Sequence, residues 1–398
     1  MSKANGAIEK KDTFLQHVSL KNYKSIKDVE IDFKPGLNII IGKNASGKTN
    51  FVNGLDAILN FRFDDLLDSE FIIKALSRND EIEVNKRQST QNTPVKDLFD
   101  LLINHNTSLK IKNKDVDLPE HQDVKEYLQY NKISFNSLKI DYGIQYTKTS
   151  QFINTPFSFV ILNNGKVSRD LLKVTMGDNW TQFVYSFFYR LYLEILLSLI
   201  QVKNESDVEI LKKEIVSLSE ECFENINRII DKYTPIQRIR LNRTFNIIKE
   251  NTSEKQTITN FYLEFLIDEN WLPFSLLSDG TKRLFYIISE MLSIYDSTKA
   301  ILLEEPELGI HPHQLHQLMQ FIKEQSREKQ IILTTHSPQV LDVLGPDELD
   351  RVIICHSDPK NGTQLSHLTE KEIAKAKKYM KEEAFLSDYW RFSDLEPT

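Results

Sequence analysis

Between Phe14 and Ile41 apolar and polar residues alternate with a period of two, which predicts two strands, a short turn at Ser25 to Lys27, and a third strand. The third carries the apolar set Leu37, Ile39, Ile40 and Ile41, and a helix follows over Asn50 to Asn60. From about Asp64 to Asp123 the chain is polar and irregular, with charge clusters and no pattern that predicts an ordered plan. Strand-like alternation returns in SLKIDYGIQY and in FSFVILNNGKV, the second turning on Asn163, Asn164 and Gly165.

After a helix start at Gly177 and Asp178 comes the apolar stretch Phe183 to Val202, a KNES turn, and a second helix to about Tyr233. In that helix Leu211, Ile215, Leu218, Cys222, Ile226, Ile229 and Tyr233 recur at three- and four-residue spacing, one apolar stripe. The pair predicts a helical hairpin. Its first arm has the length of a membrane span, but Arg190 and Glu194 stand at its centre, where each costs about 2.5–3.5 kcal/mol. It reads instead as a buried or interface helix with an aromatic face, Phe183, Phe187, Phe188 and Tyr192, wider than two helices can cover. Tyr262 to Leu277 predicts a β-hairpin feeding a helix near Ser278, and beyond Ala300 apolar strands alternate with helices, as in a parallel α/β core. The expected division is 1–175, an inserted helical hairpin over 176–250, and 251–398.

With 398 residues the chain has room for two or three structural units. A net charge of −7 means that any contact with DNA needs a local basic patch. The candidate is QRIRLNR, where Arg238 and Arg240 share a face if extended, the alternative being solvated charge. Cys222 and Cys355 are far apart and fit neither a disulfide framework nor a zinc site. The first residues lack an apolar signal core, so a cytoplasmic location without membrane contact is expected.

Chemistry enters at GLNIIIGKNASGKTNFV. Gly42, four residues, then Gly47, Lys48 and Thr49 give the G-x-x-x-x-G-K-[ST] spacing between a strand and a helix. Glycines let backbone N–H groups turn inward around an anion, and the following helix adds its positive dipole end. Gly42, Lys43, Asn44, Ala45, Ser46, Gly47, Lys48, Thr49 and Asn50 are therefore the candidate ATP-binding loop, with Lys48 for the β- and γ-phosphates and the Thr49 hydroxyl for Mg²⁺. The alternative is a strand-to-helix turn with a solvated lysine.

Such a loop needs an acidic partner at the end of an apolar strand, and AILLEEPELGIHP supplies one. Glu304 is placed to hold Mg²⁺ through water and Glu305 to orient or deprotonate the attacking water, unless the two merely open a solvated loop. In LLSDGTKRL, Ser278 and Gly280 begin a helix, either as a simple cap or as a second anion site. One nucleotide does not need two such sites from one chain, whereas two chains packed head to tail would use both. His336, ending the strand IILTTH, can bond the γ-phosphate or the hydrolytic water, the alternative being a structural histidine.

The order of these four elements resembles the ABC-type ATPases of the SMC and RecF group, most closely the OLD-like (overcoming lysogenization defect) ATPases, in EEPE…HP and TTHSP. The resemblance covers residues 14 to 60 and 260 to 345. It implies an α/β fold, an ABC-type P-loop ATPase head with mixed sheets and an inserted helical hairpin. It also implies Gly42 to Thr49 as Walker A, Leu277 to Thr281 as signature, Leu302 to Glu305 as Walker B, Leu308 to His311 as D-loop, and His336 as switch histidine. Two positions depart from the wider superfamily: Glu304 stands where many relatives have Asp, and Asp279 where others have a second glycine. The Q-loop glutamine has only Gln145 as a candidate.

Where SMC-type proteins carry a long coiled coil, this chain has a short hairpin, and after the His336 strand the residues are too few for the nuclease domain of full OLD proteins. The expected protein is a homodimerising ATPase that uses ATP and Mg²⁺ to gate a separately encoded effector, a nuclease or toxin, in anti-phage defence, with DNA as a possible further partner. The competing expectations are a RecF-like repair ATPase and a slowly hydrolysing scaffold that cages a toxin.

Overall fold

A computed structural model describes residues 13–60, 63–66, 68–77, 80–86, 107–112, 137–140, 157–162, 208–249, 255–292, 300–382 and 385–392. The chain forms two compact units: Met1–Ile140 with Tyr295–Leu308 and Met319–Thr398, and Asp141–Ile294 with Gly309–Leu318. The boundaries expected near residues 175 and 250 divide by sequence; contacts in space group the chain in this other way.

In the first unit the strands are β1 (Thr13–Tyr23), β2 (Ile26–Asp32), β3 (Leu37–Ile41), β4 (Glu70–Ser77), β5 (Asp80–Lys86), β6 (Thr107–Lys112), β7 (Ser137–Ile140), β14 (Ala300–Glu304), β15 (Gln330–Thr335), β16 (Val352–Asp358) and β17 (Gly362–His367). Among the described residues they make one mixed sheet in the order β6-β5-β4-β1-β2-β17-β16-β3-β15-β14-β7. The β6 to β16 side is antiparallel, and β16, β3, β15, β14 and β7 run parallel. Sequence explains the difference. In β2, Ile26, Val29 and Ile31 are buried between exposed neighbours, as suits a sheet with one wet face, whereas every residue of β3 and β15 is buried, as suits strands covered on both faces.

Helix α1 (Lys48–Leu59) lays Phe51, Val52, Leu55 and Ile58 into this core. It can approach β1 because Gly54 has no Cβ; one there would lie 2.7 Å from Leu20 Cδ2.

Two parts of this sheet escape the sequence pattern. The polar region after Asp64 holds β4, β5 and β6; in β4 and β5 the apolar residues Phe71, Ile73, Ala75 and Val84 are buried on one face, together with Lys86, whose ammonium donates to the carbonyls of Leu66 (2.9 Å) and Ser69 (2.7 Å). The segment after His336, where the sequence predicts a lysine-rich helix around Lys371 to Lys381 and an aromatic tail, also holds β16 and β17, which enter the sheet between β2 and β3. The expected helix is present as Glu370–Glu382, followed by Leu386–Phe392, whose start is capped by Asp342 accepting from Ser387 N–H and Oγ at 2.8 Å each.

The second unit contains β8 (Phe157–Leu162), α2 (Val208–Asn227), α3 (Ile230–Tyr233), β9 (Arg238–Leu241), β10 (Asn246–Lys249), β11 (Lys255–Phe261), β12 (Leu263–Ile267), β13 (Asn270–Pro273) and α4 (Asp279–Leu292). Its sheets have the orders β10-β11-β8 and β13-β12-β9. Their core is Leu211, Ile215, Phe223 and Ile226 of α2 against Ile239, Leu241 and the ring trio Phe265, Phe274 and Phe285, whose centroids lie 4.9–6.2 Å apart.

Of the expected stripe Leu211, Ile215, Ile226 and Tyr233 are buried, while Leu218 and Ile229 are only half-buried and Ser219, Phe223 and Ile230 share the buried face. The helix also stops early, because the Asn227 amide pairs with both backbone groups of Ile239 (2.7 and 3.0 Å) at the edge of β9. Residues 238–241 and 246–249, counted with the helical hairpin by sequence, are strands.

The first hairpin arm, Phe183 to Val202, lies outside the described residues, as do the Asn163–Gly165 turn and Gln145. Among the described residues no helix is long and apolar enough to cross a membrane.

Candidate functional site

The phosphate-binding spacing folds as a loop between β3 and α1. Ala45 and Gly47 take positive φ of 64° and 101°, which turns the backbone back on itself. Lys43, Asn44 and Ala45 form its exposed crest, while Ser46 and Lys48 are buried beneath and Thr49 is exposed at the start of α1. The Lys48 ammonium donates to the carbonyls of Gly42 (2.7 Å) and Lys43 (2.9 Å), and the buried Ser46 Oγ has no hydrogen-bond partner. A buried ammonium held by carbonyls inside a glycine turn is a cation waiting for stronger acceptors, as phosphate oxygens are.

The loop is backed by the two late strands. A Cβ on Gly42 would overlap the carbonyl oxygen of Cys355 in β16, and one on Gly47 would overlap the Thr363 side chain in β17. Thr363 Oγ1 shares a hydrogen bond with Ser25 Oγ at 2.7 Å, and Asn50 Nδ2 donates to the same Ser25 oxygen at 2.7 Å. Beneath the loop, burial pushes the Cys355 thiol pKa up, opposed in part by the neighbouring Ser46 side chain and the charge of Lys48; the thiol itself donates to the Ser46 carbonyl at 3.5 Å. No sequence signal had tied Cys355 or Thr363 to this loop.

Strand register brings the acidic pair and the histidine to the same end of the sheet. Ile41 pairs with Thr335 across β3 and β15, and Thr334 pairs with Glu304 across β15 and β14. Gly42 N–H donates to the Thr335 carbonyl (3.3 Å) and Glu305 N–H to that of Thr334 (2.8 Å). The P-loop, Glu304, Glu305 and His336 thus leave three adjacent parallel strands at their carboxyl ends, where α/β sheets bind ligands.

Glu305 holds φ at +43°, an uncommon setting for a residue with a Cβ, and strain of about 1–3 kcal/mol persists only where surrounding structure fixes it. His336 Nδ1 lies 3.4 Å from Glu305 Oε1 and 3.3 Å from Oε1 of Glu307. Glu307 was missed by sequence reasoning. It is buried, and its Oε1 accepts from Thr335 Oγ1 (2.5 Å) and from the His336 backbone N–H (3.2 Å). A turn closed by Leu308 N–H on the Glu305 carbonyl (3.3 Å) carries Glu307 to the end of the adjacent strand.

Ser278 and Gly280 belong to the second unit. The Ser278 hydroxyl accepts from Thr281 N–H (3.2 Å) and its carbonyl from Lys282 N–H (2.9 Å), so Ser278 caps α4. A Cβ on Gly280 would lie 2.9 Å from the carbonyl oxygen of Gly309, itself at φ +71°. The carboxylate of Asp279 is exposed beside this helix start and Leu276, just before it, is 67% exposed.

Arg238 and Arg240 do share one face of β9, opposite Leu266 and Glu264. Arg240 is occupied there, with Nε on Glu264 Oε2 at 2.7 Å and its guanidinium 3.8 Å from the Trp271 ring centroid. That leaves Arg238 as the exposed cation of the pair, a poor basis for a basic patch.

The profile of the AAA ATPase domain family matches residues 14–341. An ATP/GTP phosphatase of Helicobacter pylori is 23% identical over 341 residues, 83% of this chain and 87% of that protein. The DNA replication and repair protein RecF of Streptococcus agalactiae is 45% identical over 42 residues, only 11% of either chain. Among solved structures, an Smc head bound to the C-winged helix domain of ScpA superposes with a TM-score of 0.51 and 16% identity, covering 91% of this chain and 99% of that one. An Smc head with an extended coiled coil, bound to the C-terminal domain of ScpA from Pyrococcus furiosus, gives 0.51 and 17%, covering 93% and 99%. At these identities the likeness shows a shared fold, the mixed α/β head.

Proposed function

Starting from the premise that the chain belongs to the AAA ATPase domain family, we propose that it binds ATP in the Gly42–Asn50 loop and hydrolyses it in a head-to-tail dimer that gates a second protein. The convergence of Lys48, Glu304, Glu305 and His336 at the carboxyl ends of β3, β14 and β15 carries this reading. Lys48 exchanges two loop carbonyls for phosphate oxygens, Glu305 takes a proton from water, and His336 holds the γ-phosphate end of the site.

Mg²⁺ fits the donor set: the exposed Thr49 hydroxyl and the Glu304 carboxylate are oxygen ligands of the kind it prefers, used with phosphate oxygens rather than in an all-protein cage. When bound it would offset negative charge on the phosphates. Among the described residues no group of three or more His, Cys, Asp or Glu forms such a cage.

Ser278 and Gly280 act on the nucleotide of a second copy, the role their motif has in the OLD-like group. The partner gated by closure is an effector such as a nuclease or toxin. A repair role of the RecF kind is the second reading, favoured by the short RecF match.

Glu305→Gln chains should associate on ATP and stay associated, since the proton acceptor is lost while size and hydrogen bonding remain. Adding Ser278→Arg should prevent that association without reducing ATP binding. Double-variant chains that associate on ATP as strongly as Glu305→Gln alone would rule out the head-to-tail dimer. ATP turnover stimulated several-fold by gapped DNA would favour the repair reading.

A further inference from the structure

His336 is the group in this corner whose chemistry depends on which ring nitrogen carries the proton. Its Nδ1 is buried and makes no hydrogen bond, yet faces two carboxylate oxygens, Glu305 Oε1 at 3.4 Å and Glu307 Oε1 at 3.3 Å. These carboxylates are in different situations. Glu305 is about a quarter exposed, while the side chain of Glu307 is 6% exposed and its Oε2 is buried without a partner. A desolvated carboxylate with an unused oxygen is costly unless a positive or polarised hydrogen faces it. Holding the Thr335–Ser337 turn does not require a charge, because Thr335 Oγ1 and the His336 N–H both reach the same oxygen, which a neutral amide would also supply.

We infer that Glu307 is the positioning residue of His336: its buried carboxylate keeps the proton on Nδ1, so that Nε2 is the atom presented to whatever occupies the site. The arrangement is that of a histidine oriented by a carboxylate behind it, as in metal ligands and acyl-transfer triads, where the rear partner fixes tautomer and ring plane. Glu307 lies against His336 and acts through the imidazole.

The inference rests on the ATPase reading for its kinetic half only. Glu307→Gln keeps an oxygen for Thr335 and the His336 N–H while removing the charge. In ¹⁵N-histidine-labelled protein, with the His336 signals assigned by their loss in His336→Gln, the wild type should show the Nδ1–H tautomer and Glu307→Gln should shift the population toward Nε2–H. An Nε2–H tautomer in the wild type, or an unchanged population in the variant, overturns the inference whether or not ATP is hydrolysed. In turnover assays Glu307→Gln should lower kcat by about 10–100-fold with KM nearly unchanged. Adding it to His336→Ala should cost nothing further. An additional loss in the double variant would show that Glu307 acts independently of the histidine. A wild type with no ATP turnover would sink the ATPase reading and leave the tautomer measurement to decide this one.

Discussion

The contact between Gly47 and Thr363 is open to a double-mutant test. Gly47 sits at φ +101°, and an added Cβ would overlap the Thr363 hydroxyl, with Cγ2 at 2.7 Å and Cβ at 2.8 Å. Gly47→Ala therefore has two costs. The dihedral alone, far from any comfortable L-residue well, is worth about 1–2 kcal/mol. Overpacking against β17 adds about 1–3 kcal/mol. Together they remove some 2–5 kcal/mol, a large part of the ~5–15 kcal/mol typical of a folded domain. Thr363→Ala alone loses the bond to Ser25 Oγ, about 1 kcal/mol. In the double variant the two nearest overlaps are gone while the Cβ contact and the dihedral remain, so the double should be less destabilised than the sum of the singles by at least about 1 kcal/mol. Chemical denaturation of all four proteins, read from a probe in the first unit, gives the cycle. Strict additivity would mean that β17 does not abut the P-loop, and the account of why this glycine is required would fall.

Lys48→Ala should weaken ATP binding by at least about a hundredfold, ~2.7 kcal/mol by titration calorimetry, with a smaller loss of stability from the two carbonyl bonds it gives up. Gly280→Ala should lower the melting temperature through its 2.9 Å encounter with the Gly309 carbonyl, costing about 1–3 kcal/mol; an unshifted melt would show that α4 does not start against that loop. Acid stability should report on Glu348. Burial pulls its pKa up, but hydrogen bonds from Lys323 (2.5 Å) and Gly345 N–H (2.9 Å) outweigh that and hold it below the usual carboxylate value. Its ionised form therefore stabilises the fold above that usual value, and the contribution, under about 1 kcal/mol for a carboxylate this exposed, is lost as pH falls through the lowered one. Lys323→Met should flatten the acid limb of the melting curve, and an unchanged limb would remove Lys323 as the cause.

What sequence could show depended on how local each feature is. Gly42 to Thr49, the strand ending at Glu304 and the strand ending before His336 are each written in a dozen consecutive residues, because an apolar run buried on both faces and a glycine turn are local facts. The neighbours of β3 are not local. Nothing in VIICHSD or GTQLSH says that these strands lie between β2 and β3, although the run Val352 to Cys355 is apolar enough to be a buried strand by itself. The β4 and β5 region looked irregular because its apolar residues are broken by charges such as Glu70, Lys74, Asp80, Glu81, Glu83 and Lys86. Glu307 was hidden for another reason: a third acid after EEP reads as more loop, and only the strand register folds it against His336.

The sheet order also has a temporal meaning. β3 and the loop that follows are complete by residue 49, yet the strands on either side of β3, β15 and β16, begin at residues 330 and 352. Ribosomes add about 5–20 residues per second, so the buried edges of β3 stay unpaired for roughly 15–60 s of synthesis. Throughout that interval Gly42 lacks the Thr335 carbonyl, and the loop lacks the floor that Cys355 and Thr363 provide. The nascent chain must keep its most apolar strand out of wrong pairings for most of its birth. The floor of the Gly42–Thr49 loop is among the later parts of the chain to be made, although the loop itself is among the first.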